Sequence, residues 1–208
     1  MPLTRTDWAE AALTAIVRDG LKGVAVERLA RQLGTTKGSF YWHFADRAEL
    51  IAATLEHWEH RATTEMIERI HAIADPRERL AELATTAYAG AARGNAYAAM
   101  LAAAADPLVR AALERVTRAQ LAFLHELYTD LGVPSDHAAR HAHLAFALYL
   151  GIGDLRLADP DSAPAGPQLD AYLALAVEAI LPPGARPARG AARSGSASAS
   201  SARSSESR

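Results

Sequence analysis

The chain has 208 residues, half of them hydrophobic, a net charge of −2 at neutral pH and no cysteine. These values allow one large domain or a small one joined to a larger one, exclude disulfides and thiolate metal centres, and suit a reducing cytoplasm. No apolar run approaches the ~20 residues of a membrane span, and the first residues, with Arg5, Asp7 and Glu10, lack the apolar stretch of a signal peptide.

Charge is unevenly spread: residues 1–50 hold 7 Lys/Arg and 6 Asp/Glu, residues 51–181 hold 10 and 17, and residues 182–208 hold 5 and 1. The acidity therefore lies in the middle, and the N-terminal part is free to meet a polyanion. Alanine, leucine, arginine and glutamate dominate, apolar residues recur at spacings of three and four, and no stretch alternates β-branched residues, so the fold class is all-α. A first helix is predicted from Thr4 or Thr6 to Asp19, with threonine as cap, Gly20 as stop, and Trp8, Ala12, Leu13 and Ile16 inward. Short helices follow over Val26–Leu33 and from after Thr36 to near Phe44. A long helix opens at Asp46, where Asp46 and Glu49 have capping-box spacing, and runs to about Ala72. Beyond Pro76, helices are expected at 77–93, 95–105, 107–131, 135–158 (capped by Ser135 or Asp136) and 168–181, separated by Gly, Pro and Asp breakers. From Pro182 the chain is Pro, Gly, Ala, Ser and Arg, a composition expected to stay disordered. The organisation is thus a three-helix unit at 1–45, a helical body at 46–181 and a tail at 182–208.

The informative run is Val26 to Phe44. Leu29, Ala30 and Leu33 give its first helix an inward face, and Ala30 is small where two helices must cross. Gly34 supplies the positive φ of a sharp reversal. Thr36 can cap the next helix, and Phe40 and Phe44, four apart, face inward together. The opposite face begins Lys37, Gly38, Ser39: a long donor, no side chain and a small hydroxyl, a surface that lets a helix N-terminus approach a phosphate backbone closely. Tyr41 lies one turn further on, with Trp42, His43 and Arg47 at the edge.

Gly-Thr-Thr-Lys-Gly-Ser-Phe-Tyr-Trp-His-Phe over 34–44, followed by Asp-Arg-Ala-Glu-Leu-Ile over 46–51, resembles the DNA-binding signature of the tetracycline-repressor (TetR) family. The resemblance covers residues 6–55 and implies a helix-turn-helix domain followed by an all-helical ligand-binding and dimerisation domain. It further implies a cytoplasmic regulator, most often a repressor, that binds a palindromic operator in double-stranded DNA as a homodimer and is released by a small molecule. Lys37, Gly38, Ser39 and Tyr41 then face base edges, and Thr36, Trp42, His43 and Arg47 contact or flank phosphates, with part of the Trp42 ring packed inward. One departure stands out. Where the family places Ser or Thr at the start of the first motif helix, this chain has Val24-Ala25-Val26, so that helix end is expected to be looser and to lean on Arg28 or backbone N–H groups for phosphate.

By the same resemblance, helices 135–158 and 168–181 form the dimer interface. Leu144, Leu148, Ile152 and Leu155 make one stripe, and Leu169, Leu173, Ala176, Val177 and Ile180 the other; Ala138, Ala142, Ala145 and Gly151 permit close approach. Candidate effector-pocket residues are Trp58, Tyr88, Tyr97, Met100, Phe123, Tyr128, His143 and Phe146, which suggest a hydrophobic or aromatic ligand. His137 and His141, four apart, have metal-pair spacing but no third ligand, so neither a metal nor a cofactor is assigned. An enzyme is the rival reading. No phosphate-binding glycine loop, nucleophile elbow or His-Glu-x-x-His supports it. A helical adaptor that no longer binds DNA is a third reading, and the intact Lys37, Gly38, Ser39 and Tyr41 speak against it.

Overall fold

A computed structural model of the chain describes residues 3–93, 96–161, 164 and 166–182, apart from the side chains of residues 88, 89, 91–93, 156 and 157. Among the described residues every regular element is helical: α1 (Arg5–Asp19), a single 3-10 turn (Leu21–Gly23), α2 (Val26–Gln32), α3 (Lys37–Tyr41), α4 (Arg47–His60), a π turn (Arg61–Glu65), α5 (Met66–His71), α6 (Pro76–Arg93), α7 (Ala96–Ala102), α8 (Pro107–Asp130), α9 (Ser135–Ala158) and α10 (Pro167–Ile180).

The helix starts follow their capping chemistry. At α1, Asp7 N donates to Thr4 Oγ1 at 3.2 Å and Thr4 N donates to the Asp7 carboxylate at 2.6 Å, a reciprocal pair that satisfies two orphan donors. Those bonds from Thr4 hold the Asp7 carboxyl below the usual carboxylate range. Asp106 caps α8, with Pro107 in the first turn, where a missing N–H costs nothing. The start of α9 departs from expectation. Neither Ser135 nor Asp136 caps it: Pro134 occupies the cap position, and the Ser135 hydroxyl lies 3.1 Å from the His125 ring instead.

The long connecting helix has its expected length but not its expected regularity, because the π turn at Arg61–Glu65 interrupts it. α1 packs on α4 and α7, so the N-terminal unit rests on the body at two places. α8 and α9 form an antiparallel hairpin along most of their lengths, joined through Gly132. Ala138, Ala142 and Ala145 are buried, so their close approach serves packing within this chain. One connected cluster of buried side chains runs from Trp8 to Leu181 and includes Ile16, Phe40, Leu50, Ile70, Leu113 and Leu127. Burying each such side chain stabilises the fold by ~1.5–3 kcal/mol before chain entropy is subtracted. The expected tail falls, from residue 183 onward, outside the described residues.

Candidate nucleic-acid interface and internal cavity

α2 and α3 are joined by a reversal at Gly34, whose φ of 65° lies in the left-handed region that a side chain makes costly. Thr36 then caps α3, accepting from Ser39 N at 3.3 Å. The inward side of α3 is fixed by rings: Phe40 stacks on Phe44 with centroids 5.5 Å apart and meets Trp8 edge-on at 5.4 Å. Helical geometry ends at Tyr41, earlier than predicted, and Trp42 and His43 lie in the turn that leads to α4.

The outward side carries the predicted set. Thr36, Lys37, Gly38 and Arg47 are exposed, and Ser39 and His43 are half-buried. Tyr41 is 57 % exposed and Trp42 89 % exposed, so the expected partial packing of the Trp42 ring does not occur; ending α3 at Tyr41 turns the indole outward. A Cβ on Gly38 would meet nothing closer than Thr36 Oγ1 at 3.5 Å, an ordinary contact. The interior therefore does not require glycine there, and the missing side chain leaves the outer surface flat.

The charged groups on this unit are mostly engaged with each other. Lys37 Nζ lies 2.6 Å from Glu27 Oε1, linking α3 to α2 across the outer face. That hydrogen bond and the charges behind it hold Lys37 above its ordinary value and Glu27 below the usual carboxylate range. Arg47 turns two of its three nitrogens back on the preceding loop. Its Nε donates to the Val24 carbonyl at 2.7 Å and its terminal nitrogen to the Leu21 carbonyl at 2.5 Å. Arg28 likewise donates to the Gly23 carbonyl and pairs with Asp19 at 3.1 Å. These contacts bear on the missing hydroxyl cap. The N-cap of α2 is Ala25 with no side-chain bond, as Val24-Ala25-Val26 implies. Two arginines hold the preceding loop in place of a hydroxyl, and Gly23 seats it against α1, where a Cβ would come within 2.6 Å of the Ala15 carbonyl.

Arg5 escaped the sequence reading. Its guanidinium donates to the His43 carbonyl, pairs with Glu49 at 3.0 Å and lies 4.3 Å from the centre of the Phe44 ring. Glu49 also accepts from Ala45 N at 2.7 Å, while its own N–H donates to Asp46 at 2.9 Å. The turn between α3 and α4 is thus pinned from the start of α1. No spacing rule links residues 38 positions apart, so nothing in the sequence signalled it.

Behind this unit, the π turn and α5, with α6, α8, α9 and α10, enclose a cavity of about 290 Å³. Met66, Leu80, Leu83, Phe123, Leu124 and Phe146 give it an apolar wall, and Arg61, Arg69, Thr86, Gln120 and Tyr149 supply polar groups. Of the seven proposed pocket residues whose side chains are described, Phe123 and Phe146 line it. Trp58 and Met100 are buried in the core, Trp58 edge-on to Tyr97 at 6.2 Å. Tyr97 is also buried and shares a 2.6 Å hydrogen bond with Thr117. Tyr128 is fully buried and donates to the Ile180 carbonyl at 2.9 Å; burial pushes its phenol well up. His143 is exposed on α9, its ring nitrogen 2.8 Å from the Ala139 carbonyl. The side chain of Tyr88 lies outside the described residues. The selection favoured aromatics, but the cavity is floored by leucines and alanines whose inward register a sequence pattern does not separate from ordinary core.

Residues 9–54 match the sequence model of a family described as bacterial regulatory proteins, tetR family, a span that contains α2, α3 and the turn between them. Over that span the chain is similar to the tetR family. Over 57 residues it is 35% identical to the HTH-type transcriptional regulator SrpR of Pseudomonas putida, a match that spans 27% of this chain and 27% of that protein. The likeness to that curated relative therefore covers about a quarter of either length. Two solved structures extend the comparison to the whole fold. A putative TetR-family transcriptional regulator from Rhodococcus sp. aligns over 85% of this chain and 97% of that one, with a TM-score of 0.63 at 20% identity. The transcriptional regulator FadR of Bacillus subtilis, in complex with stearoyl-CoA, aligns over 84% of this chain and 96% of that one, with a TM-score of 0.60 at 16% identity. Among the described residues no helix is long and apolar enough to cross a membrane.

Proposed function

We propose that this chain is a tetR-family transcriptional regulator, acting as a repressor, that binds a palindromic operator as a homodimer and releases it when a small molecule occupies the body. The observation that carries the reading is the outward face of α3. Thr36, Lys37, Gly38, Ser39, Tyr41 and Trp42 project from a short helix that Phe40, Phe44 and Trp8 hold rigid. Tyr41 leans edge-on against Phe40 at 5.2 Å yet leaves more than half of its surface open, Trp42 stands almost wholly in solvent, and a flat Gly38 beside them admits close approach of a duplex. Residues 1–45 are the DNA-reading unit in this account and residues 46–181 the effector and dimer body.

Lys37 is the base-edge donor. It exchanges Glu27 for DNA on binding, and that exchange also moves Glu27 away from the phosphates. His43 flanks the backbone. Arg47 and Arg28 act indirectly, by setting the loop in front of α2.

The dimer face is the outer side of α9, where Leu144, Ala147, Gly151 and Leu155 are exposed in one stripe, continued by Leu175 of α10. A Cβ on Gly151 would touch nothing, so a second helix can approach closely there. The stripe expected on α10 turns the other way. Ala176 and Ile180 are buried, and Leu169, Leu173 and Val177 pack within the same subunit, as does Ile152 of α9. The effector reading rests on the cavity beside the connecting helix, with Phe123 and Phe146 in its wall. The FadR neighbour, solved with stearoyl-CoA, supports an apolar ligand in such a body. Trp58, Tyr97, Met100 and Tyr128 support that wall from behind.

Selection of bound duplexes from a random pool tests the reading. The expected product is a palindrome with half-sites a helical turn or more apart, bound with an affinity that falls steeply with salt. Recovery of no enriched sequence, or affinity independent of salt, refutes it.

A further inference from the structure

Among the described residues the cavity wall contains two guanidinium groups, Arg61 and Arg69, and no carboxylate. Both arginines belong to the connecting helix and are exposed, so they stand at the opening, while Met66, Leu80, Leu83, Phe123 and Phe146 form the apolar interior. Arg61 already binds a carboxylate: its terminal nitrogen lies 3.0 Å from Glu10 Oε1 on α1. Among the described residues Arg69 makes no ion pair. Deeper in, Gln120 donates through Nε2 to the Ala62 carbonyl in the π turn at 3.0 Å, and its buried Oε1 has no protein partner. An opening with two cations, only one of them paired with a carboxylate, disfavours a cationic ligand, and an apolar interior disfavours a polar one. The volume lies at the lower edge of the ~300–1,000 Å³ usual for ligand sites, which limits the occupant to a small molecule.

We propose that the cavity takes a small apolar monoanion, its acid group between Arg61 and Arg69 and its apolar body among Met66, Leu83, Phe123 and Phe146. The proposal rests on the reading of the body as an effector domain and adds the charge and size of the effector. Guanidinium groups suit this task because their planar donor fork matches a carboxylate and is weakly hydrated. Because Glu10 already occupies Arg61, a bound anion competes with it. An exposed ion pair of this kind limits that competition to a few-fold in affinity.

The test uses the full chain and three probes of equal length, below their micellar concentrations: decanoate, decanol and decyltrimethylammonium. Binding is read by calorimetry, and release of selected operator DNA is read in parallel. Decanoate is expected to bind at least about tenfold more tightly than the other two. The preference is expected to disappear in the Arg61→Gln, Arg69→Gln double variant, and Glu10→Gln is expected to bind decanoate a few-fold more tightly. Folding of each variant is checked by thermal unfolding and by affinity for ligand-free operator. Equal affinity for the three probes, or a preference that survives in the double variant, overturns the anion assignment. If decanol binds and releases DNA under those conditions, the effector-domain reading stands without it. Failure of decanoate to bind also overturns the proposal, and operator binding without any probe then shows separately whether the DNA-reading assignment holds.

Discussion

Replacing Arg47 with methionine separates two roles for a residue at the edge of the proposed interface. The substitution keeps the aliphatic stem and removes the donors to the Val24 and Leu21 carbonyls. A hydrogen bond from a charged group contributes about 1.5–3 kcal/mol when buried. Here one bond is only part-buried and the other exposed, so water replaces much of the loss. A total of about 1–2 kcal/mol follows. At ~2–4 °C per kcal/mol for a chain of this size, Arg47→Met is expected to lower Tm by about 2–8 °C. Operator affinity should fall because the start of α2 loosens, but the slope of log affinity against log salt should stay as in the parent. Thermal unfolding and shift titrations at several salt concentrations provide both readouts. An unchanged Tm together with a salt slope reduced by about 1 identifies Arg47 as a direct phosphate contact and refutes the loop-clamp argument.

Tyr41→Ala is expected to weaken operator binding by about tenfold or more while stability, measured by urea unfolding, changes by no more than ~0.5 kcal/mol, as for other exposed positions. Phe40→Ala removes a ring packed between Trp8 and Phe44 and should cost ~3–5 kcal/mol in the same unfolding assay. Leu144→Glu combined with Leu155→Glu is expected to halve the mass seen by analytical ultracentrifugation without lowering helicity, because both side chains are exposed within one subunit. Acid should loosen the N-terminal unit slightly. Asp7 is held low mainly by the Thr4 backbone hydrogen bond, Asp19 and Glu27 by hydrogen bonds from Arg18 and Lys37, and Glu49 first by Ala45 N–H and then by Arg5. Carboxyls lowered in the folded state add stability that is fully present above their unfolded values near pH 4 and is lost as pH falls through the folded ones. Because these groups are exposed and screened by solvent, the loss is small, and the urea unfolding midpoint is expected to fall modestly as pH drops below about 4.

The helices and the reversal between α2 and α3 were legible in the sequence because both rest on local rules. Thr4, Gly20, Gly34, Thr36 and Asp46 act on residues within four positions of themselves, and Phe40 and Phe44 declare their face by spacing alone. What escaped depends on partners far along the chain. Arg5 and Glu49 meet across 44 positions, Gln120 reaches Ala62 across 58, and Arg47 turns back to Leu21 across 26. Long arginine side chains choose among carbonyls and carboxylates that tertiary packing brings near, so the reading of Arg47 as contacting or flanking phosphates did not show that two of its nitrogens bond the loop before α2. The cavity was hidden for a related reason. Trp58, Tyr97 and Tyr128 are large and carry polar tips, but those tips or rings find partners within the core. The orientation of α10 was also out of reach, because its apolar residues are numerous enough to offer more than one inward face.

In an uninterrupted α-helix, residues eight apart such as Arg61 and Arg69 differ by about 80° around the axis, at about 100° per residue. The turn at Arg61–Glu65 is wider, with i→i+5 hydrogen bonding that advances each residue by only about 80°, and it brings both arginines to the cavity side. An ordinary helix reaches nearly the same phase with seven steps instead of eight. The connecting helix therefore carries one surplus residue that the wide turn absorbs. Deleting a single residue between Arg61 and Glu65 leaves α4 and α5 in phase, whereas forcing the turn into α geometry at full length rotates α5, Arg69 included, by about 80° relative to the recognition unit.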